Sequence, residues 1–312
     1  MASFRVVVTD QVFPDVNTER ELIEAAGGTL EVARGGLADV LAAAHTADAL
    51  LNTYLPMDAS SIKRLEGCRI IARYGIGVDN IDLDAAREAG IAVTNVPDYC
   101  IEEVATHAVA HILSLVRRLP QGDALVRAGQ WGVSGLGELH RLSTLTLGLL
   151  GYGRIARQVG SVMATMGMRV LAHDPYVPAD STAELVGLDE LFAASDVLSV
   201  HCPLTPQTRG LVSARTLALM RTSAIVVNTS RGPVVNVGDL VAALRQGRIA
   251  AAGLDVFESE PPSAALLDGV PNLLVTPHSA FYSAEAIKES ARKAATQVLK
   301  AMAGEALDYQ VV

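Results

Sequence analysis

Three polar clusters in the second half of the chain carry the residue types that could do chemistry. Each follows an apolar run, and they span Asn228 to Gly232, Asp255 to Glu260, and Thr276 to His278. Such runs are typical of buried parallel strands, and open parallel sheets bind ligands beyond the carboxyl ends of their strands. We therefore expect Arg231, Glu260 and His278 to converge on one crevice. There they would serve as a carboxylate clamp, a partner for imidazole and a proton donor.

A glycine-rich turn at residues 148–156 lies between an apolar run and an amphipathic helical pattern. A dinucleotide-binding turn needs one glycine for the bend, a second for close approach to the pyrophosphate, and a small third residue for helix packing. Gly151, Gly153 and Ala156 meet these demands. Asp174 ends the next apolar run, where a carboxylate can bind the adenosine ribose hydroxyls and favours NAD over NADP. With a hydride carrier, the polar set suits reduction of a 2-keto acid.

Alternating strand and helix patterns must position these residues, and they predict an α/β protein with two open parallel sheets. The predicted strands are Phe4–Val8, Ala49–Leu51, Arg69–Arg73 and Ile91–Val93, then a run from Thr146, Met168–His173, Val197–Cys202, Ala224–Thr229, Ala250–Asp255 and Leu273–Thr276. A bridging helix over Ile101–Leu119 and an arm over 122–137 lie between the two series. The last helical pattern, Ser283–Ala303, could return to the first domain. We predict one domain from 1–98 with 283–312, and another from 99–282.

Composition favours a small-molecule partner. The 312 residues are 50% hydrophobic, the net charge is −9, and no run of lysine or arginine suggests nucleic acid or an anionic membrane. The three cysteines form no close pair, which fits a reducing cytoplasm. We expect neither a signal peptide nor a membrane anchor. His107 and His111 have a metal-ligand spacing, but a third ligand is not evident, and we predict no metal site.

Together these motifs resemble the D-2-hydroxyacid dehydrogenases over almost the whole chain. The resemblance rests on Gly-Tyr-Gly-Arg-Ile-Ala with Asp174, Asn-Thr-Ser-Arg-Gly, Gly-Leu-Asp-Val-Phe-Glu-Ser-Glu-Pro and Thr-Pro-His. Residues 70–82 and 277–283 look most like the C-terminal binding protein branch. The resemblance implies a flavodoxin-like substrate domain and a Rossmann domain, a doubly wound parallel sheet that binds NAD. It also implies hydride transfer between NADH and a small 2-keto acid to give a D-2-hydroxy acid.

The resemblance further implies roles for individual residues. Arg231 would bind the substrate carboxylate and carbonyl oxygen, Glu260 would orient His278, and His278 would protonate the oxygen. Glu258 is the main alternative to Glu260. The implied cofactor-binding residues are Gly151, Gly153, Arg154, Ile155, Asp174, Cys202, Pro203, Thr229, Asp255 and Thr106, with Cys202 and Pro203 at adenine and Asp255 at the nicotinamide amide. The implied substrate-binding residues are Arg73, Tyr74, Gly75, Ile76, Gly77, Tyr54 and Phe281.

Departures from the family pattern limit what can be transferred. Thr106 stands where many members have an acidic residue, and Phe281 replaces a tryptophan of the C-terminal binding proteins. The loop at 52–57 lacks basic residues, which disfavours a phosphorylated substrate, and the chain length suggests no appended regulatory domain. Two alternatives stay open: an NAD(H)-sensing scaffold without significant turnover, and oxidation of a small anion such as formate or phosphite. We expect a cytoplasmic homodimer formed through residues 100–140.

Overall fold

The chain forms two compact units of α/β structure. A computed structural model describes residues 3–177 and 183–312. The first unit comprises the chain up to Cys100 together with Tyr282–Val312, and the second comprises Ile101–Phe281. These limits lie within a few residues of the two predicted domains, whose separate roles stay predictions.

Strands and helices alternate along both units. The strands are β1 (Arg5–Val8), β2 (Thr29–Val32), β3 (Ala49–Asn52), β4 (Ile70–Arg73), β5 (Ala92–Thr94), β6 (Thr146–Leu150), β7 (Arg169–His173), β8 (Glu184–Leu185), β9 (Val197–Val200), β10 (Ile225–Asn228), β11 (Ala251–Leu254) and β12 (Leu273–Val275). The helices are α1 (Asn17–Ala25), α2 (Leu37–Ala44), α3 (Ala59–Ile62), α4 (Leu83–Glu88), α5 (Ile101–Val116), α6 (Leu119–Arg127), α7 (Arg154–Thr165), α8 (Leu188–Ala194), α9 (Ala214–Leu217), α10 (Val237–Arg245), α11 (Ala264–Leu267) and α12 (Ala284–Ala303).

The first unit contains a five-stranded parallel sheet in the order β2-β1-β3-β4-β5. This is the flavodoxin-like order, so that prediction is confirmed. Helix α12 packs on α1 and on β4 through a face rich in alanine. The helix begins where the Ser283 side chain accepts a hydrogen bond from the Ala286 amide at 2.9 Å, and it ends at Gly304, whose φ is 71°.

The second unit contains a seven-stranded parallel sheet in the order β12-β11-β10-β9-β6-β7-β8. Counted from β6, this is the Rossmann order with one additional strand, so the predicted doubly wound sheet is confirmed. Both faces of the sheet are covered: one core contains Phe192, Leu198 and Leu240, and the other contains Ile112, Leu147 and Val159. Strand order reverses between β6 and β9, where such sheets bind their ligands.

The structure differs from the sequence prediction in a few elements. The edge strands β2 and β8 were not predicted, and most predicted strands are shorter by a residue or two. Part of the predicted arm is helix α6, which starts after Arg118 in the left-handed region and places Pro120 in its first turn. None of the helices formed by the described residues has the length and hydropathy that a membrane span requires.

Candidate active site

The turn after β6 is built around close backbone contact. Gly151 has a φ of 90°, and a Cβ placed on it would lie 2.7 Å from the Cys202 nitrogen, at the end of the neighbouring strand β9. Only glycine fits this position without strain. Gly153 immediately precedes α7, and a Cβ placed there would meet nothing within 4 Å. Ala156 is fully buried and lets α7 lie against the sheet. The turn therefore combines a tight bend with open space over the first turn of a helix.

Asp174 braces this turn. One of its carboxylate oxygens accepts a hydrogen bond from the Tyr152 amide at 2.9 Å, and the other accepts one from the Tyr176 amide at 2.9 Å. Asp174 thus lies beside the glycine turn, as the spacing predicts. A carboxylate has about four lone-pair positions, so these two bonds leave acceptor capacity for a ligand hydroxyl.

Two more of the predicted cofactor residues follow neighbouring strands. Cys202 is buried, and this burial raises the pKa of its thiol to about 12. The thiol is therefore neutral and packs beside the turn, and it does not act as a nucleophile. Thr229 is also buried, and its hydroxyl oxygen has no hydrogen-bond partner among the described residues. A buried hydroxyl without a partner is costly, and a bound ligand could satisfy it.

Arg231 is held by a side-chain-stabilised turn at the end of β10. Asn228 accepts a hydrogen bond from the Ser230 amide at 3.0 Å and donates one to the Arg231 carbonyl at 3.0 Å. The next residue, Gly232, packs directly on the backbone of Phe257, so that any Cβ would clash with its carbonyl group. This contact joins the loop that carries Arg231 to the loop that carries Glu260.

Glu260 and His278 form a hydrogen-bonded pair. The Nδ1 atom of His278 lies 2.6 Å from one oxygen of Glu260, whose other oxygen accepts the Phe257 amide at 2.9 Å. Burial raises the pKa of Glu260, but the bonds from His278 and Phe257 and the charges of His278 and Arg231 outweigh it. The pKa of Glu260 is therefore lowered. Glu258, the alternative candidate, instead accepts a hydrogen bond from the Val237 amide at 3.3 Å.

Other predicted residues of the second unit have contacts of their own. The ring of Phe281 lies edge-on to His278, with ring centroids 6.1 Å apart. Thr106 is exposed and donates its hydroxyl to carbonyls of its own helix, those of Glu102 and Glu103. Asp255 is fully buried and accepts hydrogen bonds from Thr276, Ser279 and Ala280. The predicted cofactor contacts of Thr106 and Asp255 stay predictions.

The first unit holds the residues that the family resemblance places at the substrate. Arg73 is buried and donates to the Asn80 side chain at 3.2 Å, and Gly75 leaves the room that the guanidinium occupies. Tyr74 is buried, and its hydroxyl donates to Glu19 at 2.6 Å. The Ile76 carbonyl accepts the Asn95 amide nitrogen at 2.6 Å. This segment is thus fixed by side chains on both of its flanks.

Asp10 is a residue that sequence reasoning missed. Its carboxylate accepts hydrogen bonds from the backbone amides of Thr53, Tyr54 and Leu55, and so fixes the loop that follows β3. Asp10 comes shortly after β1, and β1 pairs with β3 where the order of this sheet reverses. The rule that strand ends at such a reversal carry functional groups could have identified it.

Comparison with protein families finds one matching description for most of the second unit. Residues 109–280 match the model of the D-isomer specific 2-hydroxyacid dehydrogenase, NAD binding domain. This segment contains the glycine turn, Asp174, Arg231, Glu260 and His278.

Characterised relatives extend the similarity to both units. The chain is 38% identical to the glyoxylate reductase of Aeropyrum pernix, over 83% of this chain and 81% of that protein. It is 36% identical to the D-3-phosphoglycerate dehydrogenase of Methanocaldococcus jannaschii, over 96% of this chain. That alignment covers 58% of the relative, and the chain spans little more than half the length of such phosphoglycerate dehydrogenases.

Solved structures share the fold over the full length. The D-lactate dehydrogenase of Aquifex aeolicus, complexed with NAD and lactic acid, matches with a TM-score of 0.88 at 27% identity and covers 96% of each chain. A glyoxylate reductase from Paecilomyes thermophila matches with a TM-score of 0.90 at 30% identity, over 100% of this chain and 99% of that one.

Proposed function

The chain belongs to the D-isomer specific 2-hydroxyacid dehydrogenase family, and on that premise we propose that it is an NAD-dependent reductase of small, non-phosphorylated 2-keto acids. The family resemblance drawn from the sequence is thereby confirmed, while the narrower likeness to the C-terminal binding protein branch stays a prediction. One observation carries the proposal: His278 pairs with Glu260 at 2.6 Å, beside the loop that bears Arg231.

His278 supplies the proton in this proposal. Its Nδ1 atom is engaged by Glu260, which assigns proton transfer to Nε2, the other ring nitrogen. Glu260 fixes the orientation of the ring and stabilises its charged form. When bound, NADH would supply the hydride to the carbonyl carbon. The proton from His278 goes to the carbonyl oxygen, so that C=O becomes CH–OH, and solvent returns the proton to the imidazole.

Arg231 binds the anionic part of the substrate. A guanidinium can hold a carboxylate through two parallel hydrogen bonds, which a lysine cannot reproduce. The Asn228 side chain and the Gly232 contact with Phe257 hold the Arg231 loop, so the cation does not depend on a mobile segment. This arrangement supports selection for 2-keto acids over neutral carbonyl compounds.

The second unit fits a dinucleotide. Gly153 leaves open space at the start of α7, where unpaired amides favour a pyrophosphate, and Arg154 and Ile155 would supply those amides. The buried Thr229 hydroxyl lacks a partner among the described residues, and Asp174 retains acceptor capacity for the ribose. The segment matches an NAD-binding domain, and Asp174 supports NAD over NADP.

The family resemblance places the loop after β3 at the substrate, and the residues of this loop narrow the substrate class. This loop, residues 52–57, has the sequence Asn-Thr-Tyr-Leu-Pro-Met and contains no lysine or arginine. The amides of residues 53–55 already donate to the Asp10 carboxylate. A phosphate would therefore lack cationic partners on this loop. The contacts proposed for Tyr54 and for residues 73–77, like the D configuration of the product, are carried over from the family.

The test is NADH oxidation with a panel of 2-keto acids: glyoxylate, hydroxypyruvate, phosphohydroxypyruvate and a branched 2-keto acid. We expect turnover with a non-phosphorylated member, and His278→Ala should lower kcat by about 10²-fold or more while NADH still binds. His45→Ala, at an exposed histidine, is the matched control. A His278→Ala enzyme as active as the wild type contradicts the mechanism. NADH binding without turnover would favour the scaffold alternative, and NAD reduction by formate or phosphite would favour the anion-oxidising one.

We also propose that the protein is a cytoplasmic homodimer. The segment from α6 onward exposes a group of apolar side chains: Leu119, Val126, Trp131 and Val133, with Trp131 90% exposed. Exposed apolar groups of this size mark association surfaces, and a second copy of the chain would cover them. The three cysteines form no disulfide, which supports a reducing compartment.

A further inference from the structure

Two histidines of α5, the buried His111 and the half-buried His107, converge on a single hydroxyl near the catalytic pair. The Nε2 atoms of His107 and His111 lie 3.0 Å and 3.2 Å from the hydroxyl oxygen of Thr276, just after β12. The proposed reaction uses neither histidine. Both histidines and Thr276 belong to the second unit.

Thr276 connects the histidines to a buried carboxylate. Its hydroxyl lies 2.6 Å from one oxygen of Asp255, whose side chain has no solvent exposure. An ionised carboxylate only accepts hydrogen bonds, so Thr276 must donate to it. The lone pairs of the hydroxyl then accept from both histidines, each of which donates its Nε2 proton.

The Asp255 carboxylate in turn holds the backbone that follows His278. The amides of Ser279 and Ala280 each donate to it at 2.9 Å, and the His278 amide donates to the Asp255 carbonyl at 2.8 Å. Three consecutive amides therefore end on one buried residue. His278 itself has a φ of 52°, a left-handed conformation that is uncommon for residues other than glycine and that these hydrogen bonds support.

The space for His111 is built into the sheet. A Cβ placed on Gly253 of β11 would lie 2.5 Å from the His111 Nδ1 atom, so a larger residue would displace the ring. Burial, aided by neighbouring His107, lowers the pKa of His111 to about 4, and the ring is neutral at physiological pH. A neutral ring has one N–H, and Thr276 is its acceptor.

We propose that Thr276, supported by His107 and His111, is a positioning residue for His278: it orients Asp255, which holds the left-handed turn on which the acid is carried. The inference rests on the proposed function for its catalytic meaning. The hydroxyl bonds both histidines of α5 and the Asp255 carboxylate, which the Nε2 atom of His107 also approaches directly at 3.5 Å. Removal of the hydroxyl should loosen the turn without touching Arg231 or Glu260.

Thr276→Val and Thr276→Ser form the informative pair. Valine keeps the shape but removes the hydroxyl, and we expect kcat to fall about tenfold to a hundredfold, the loss expected of a misplaced catalytic group, with the NADH KM unchanged. Serine restores the hydroxyl and should restore kcat. Thr216→Val is the control, because the hydroxyl of the buried Thr216 bonds the carbonyls of Leu211 and Ser213, away from this array.

Amide hydrogen exchange of residues 278–281 gives a readout independent of turnover. Exchange should accelerate in Thr276→Val and remain slow in Thr276→Ser and Thr216→Val. Should Thr276→Val fail to fold, His107→Leu is the second variant: it removes one donor, and His107→Gln retains an N–H donor as its control. We expect His107→Leu to accelerate exchange and to lower kcat, as Thr276→Val does, but by a smaller amount.

The outcomes separate the two proposals. Faster exchange at 278–281 with lower kcat supports the positioning role. Faster exchange in a protein whose wild type turns over no 2-keto acid supports the anchoring of the turn and overturns the proposed function. Unchanged exchange in Thr276→Val overturns the positioning role whatever happens to kcat, as does a loss that Thr276→Ser fails to restore.

Discussion

The His278 imidazole and the Glu260 carboxylate share a hydrogen bond of 2.6 Å, and the second oxygen of Glu260 is bound by the Phe257 amide at 2.9 Å. The backbone amide therefore holds the Glu260 carboxylate in place beside the imidazole ring. His278 is held in two independent ways, through its side chain by Glu260 and through its backbone by Asp255.

Glu260→Gln should lower kcat for 2-keto acid reduction by about 10²-fold, because an amide can still bond the ring but no longer stabilises its positive charge. Steady-state kinetics across pH measure the effect. Glu258→Gln is the control on the same loop and should retain nearly full activity. Equal losses in the two variants would return the partner role to Glu258.

Gly153→Ala should weaken NADH binding, whereas Gly151→Ala should lower the stability of the protein. The first adds a methyl group to open space, so we expect an unchanged Tm and an NADH Kd raised about tenfold by obstruction of the approaching phosphates. The second forces a side chain into a positive φ and against Cys202, so we expect a loss of about 1–3 kcal/mol of stability. Thermal unfolding and NADH titration measure both. Unaltered NADH binding by Gly153→Ala would argue against phosphates at this turn.

Asp174→Asn should weaken NADH binding about tenfold to a hundredfold, since charged hydrogen bonds to the ribose hydroxyls would be lost. NADPH binding should change less, because its 2′-phosphate is repelled by the native carboxylate. Fluorescence titration with both nucleotides gives the two Kd values. If the ratio of the two Kd values is unaltered, Asp174 does not determine the preference between NADH and NADPH.

His111 should make the protein less stable in mild acid. Its pKa is about 4 in the folded protein against 6.5 as the reference, so the unfolded chain binds the extra proton between these values. The free energy of unfolding therefore has its full contribution from neutral His111 above about pH 6.5. This contribution falls by roughly 3 kcal/mol as the pH drops toward 4. The pKa of Glu260 is lowered from 4.5, so protonation of this carboxylate reduces the stability only below about pH 4.5.

Urea unfolding at a series of pH values measures this slope. Buried His201, whose pKa burial also lowers to about 4, contributes to the same slope. His111→Gln should therefore reduce the slope between pH 6.5 and 4 by about half, whereas His45→Gln, at an exposed position, should leave it intact. A slope in His111→Gln as steep as that of the wild type would mean that His111 does not contribute to the acid sensitivity.

Trp131→Ser combined with Val133→Ser should shift the protein from dimer to monomer, since both side chains are more than 80% exposed in the single chain. Sedimentation velocity at several concentrations measures the change. Tyr176→Ser, an exposed aromatic outside this segment, serves as the control. A wild-type protein that sediments as a monomer would contradict the dimer proposal directly.

The sheets were predictable because buried parallel strands are continuous apolar runs, as in Ile225–Asn228. Edge strands lack that signal: Thr29–Val32 alternates exposed and buried residues, and Glu184–Leu185 contains only two residues. Part of helix α6 lies in the segment 122–137, which was interpreted as an arm because glycines punctuate it, and Pro120 stands just before that segment. Proline is harmless there, since the first turn of a helix leaves its amides unpaired.

The site was predictable in part for a related reason. The carboxyl ends of parallel strands meet at one edge, and this brings Glu260 and His278 together from the sequence alone. The contact between His107 and Thr276 joins residues 169 positions apart, and it depends on how α5 lies across the sheet. A helical spacing shows which residues share a face, but it does not show which strand end that face meets.

The first unit is assembled from two segments of chain with the whole second unit between them. Helix α12, which covers α1 and β4, and the strand-edge bond from the Val93 amide to the Val312 carbonyl both come from the last segment. A ribosome therefore completes the Rossmann sheet while the first five strands still await their covering helix. Because domains fold as units as they emerge, we expect the second unit to reach its native fold before the first unit, whose sheet is covered only after α12 has been made.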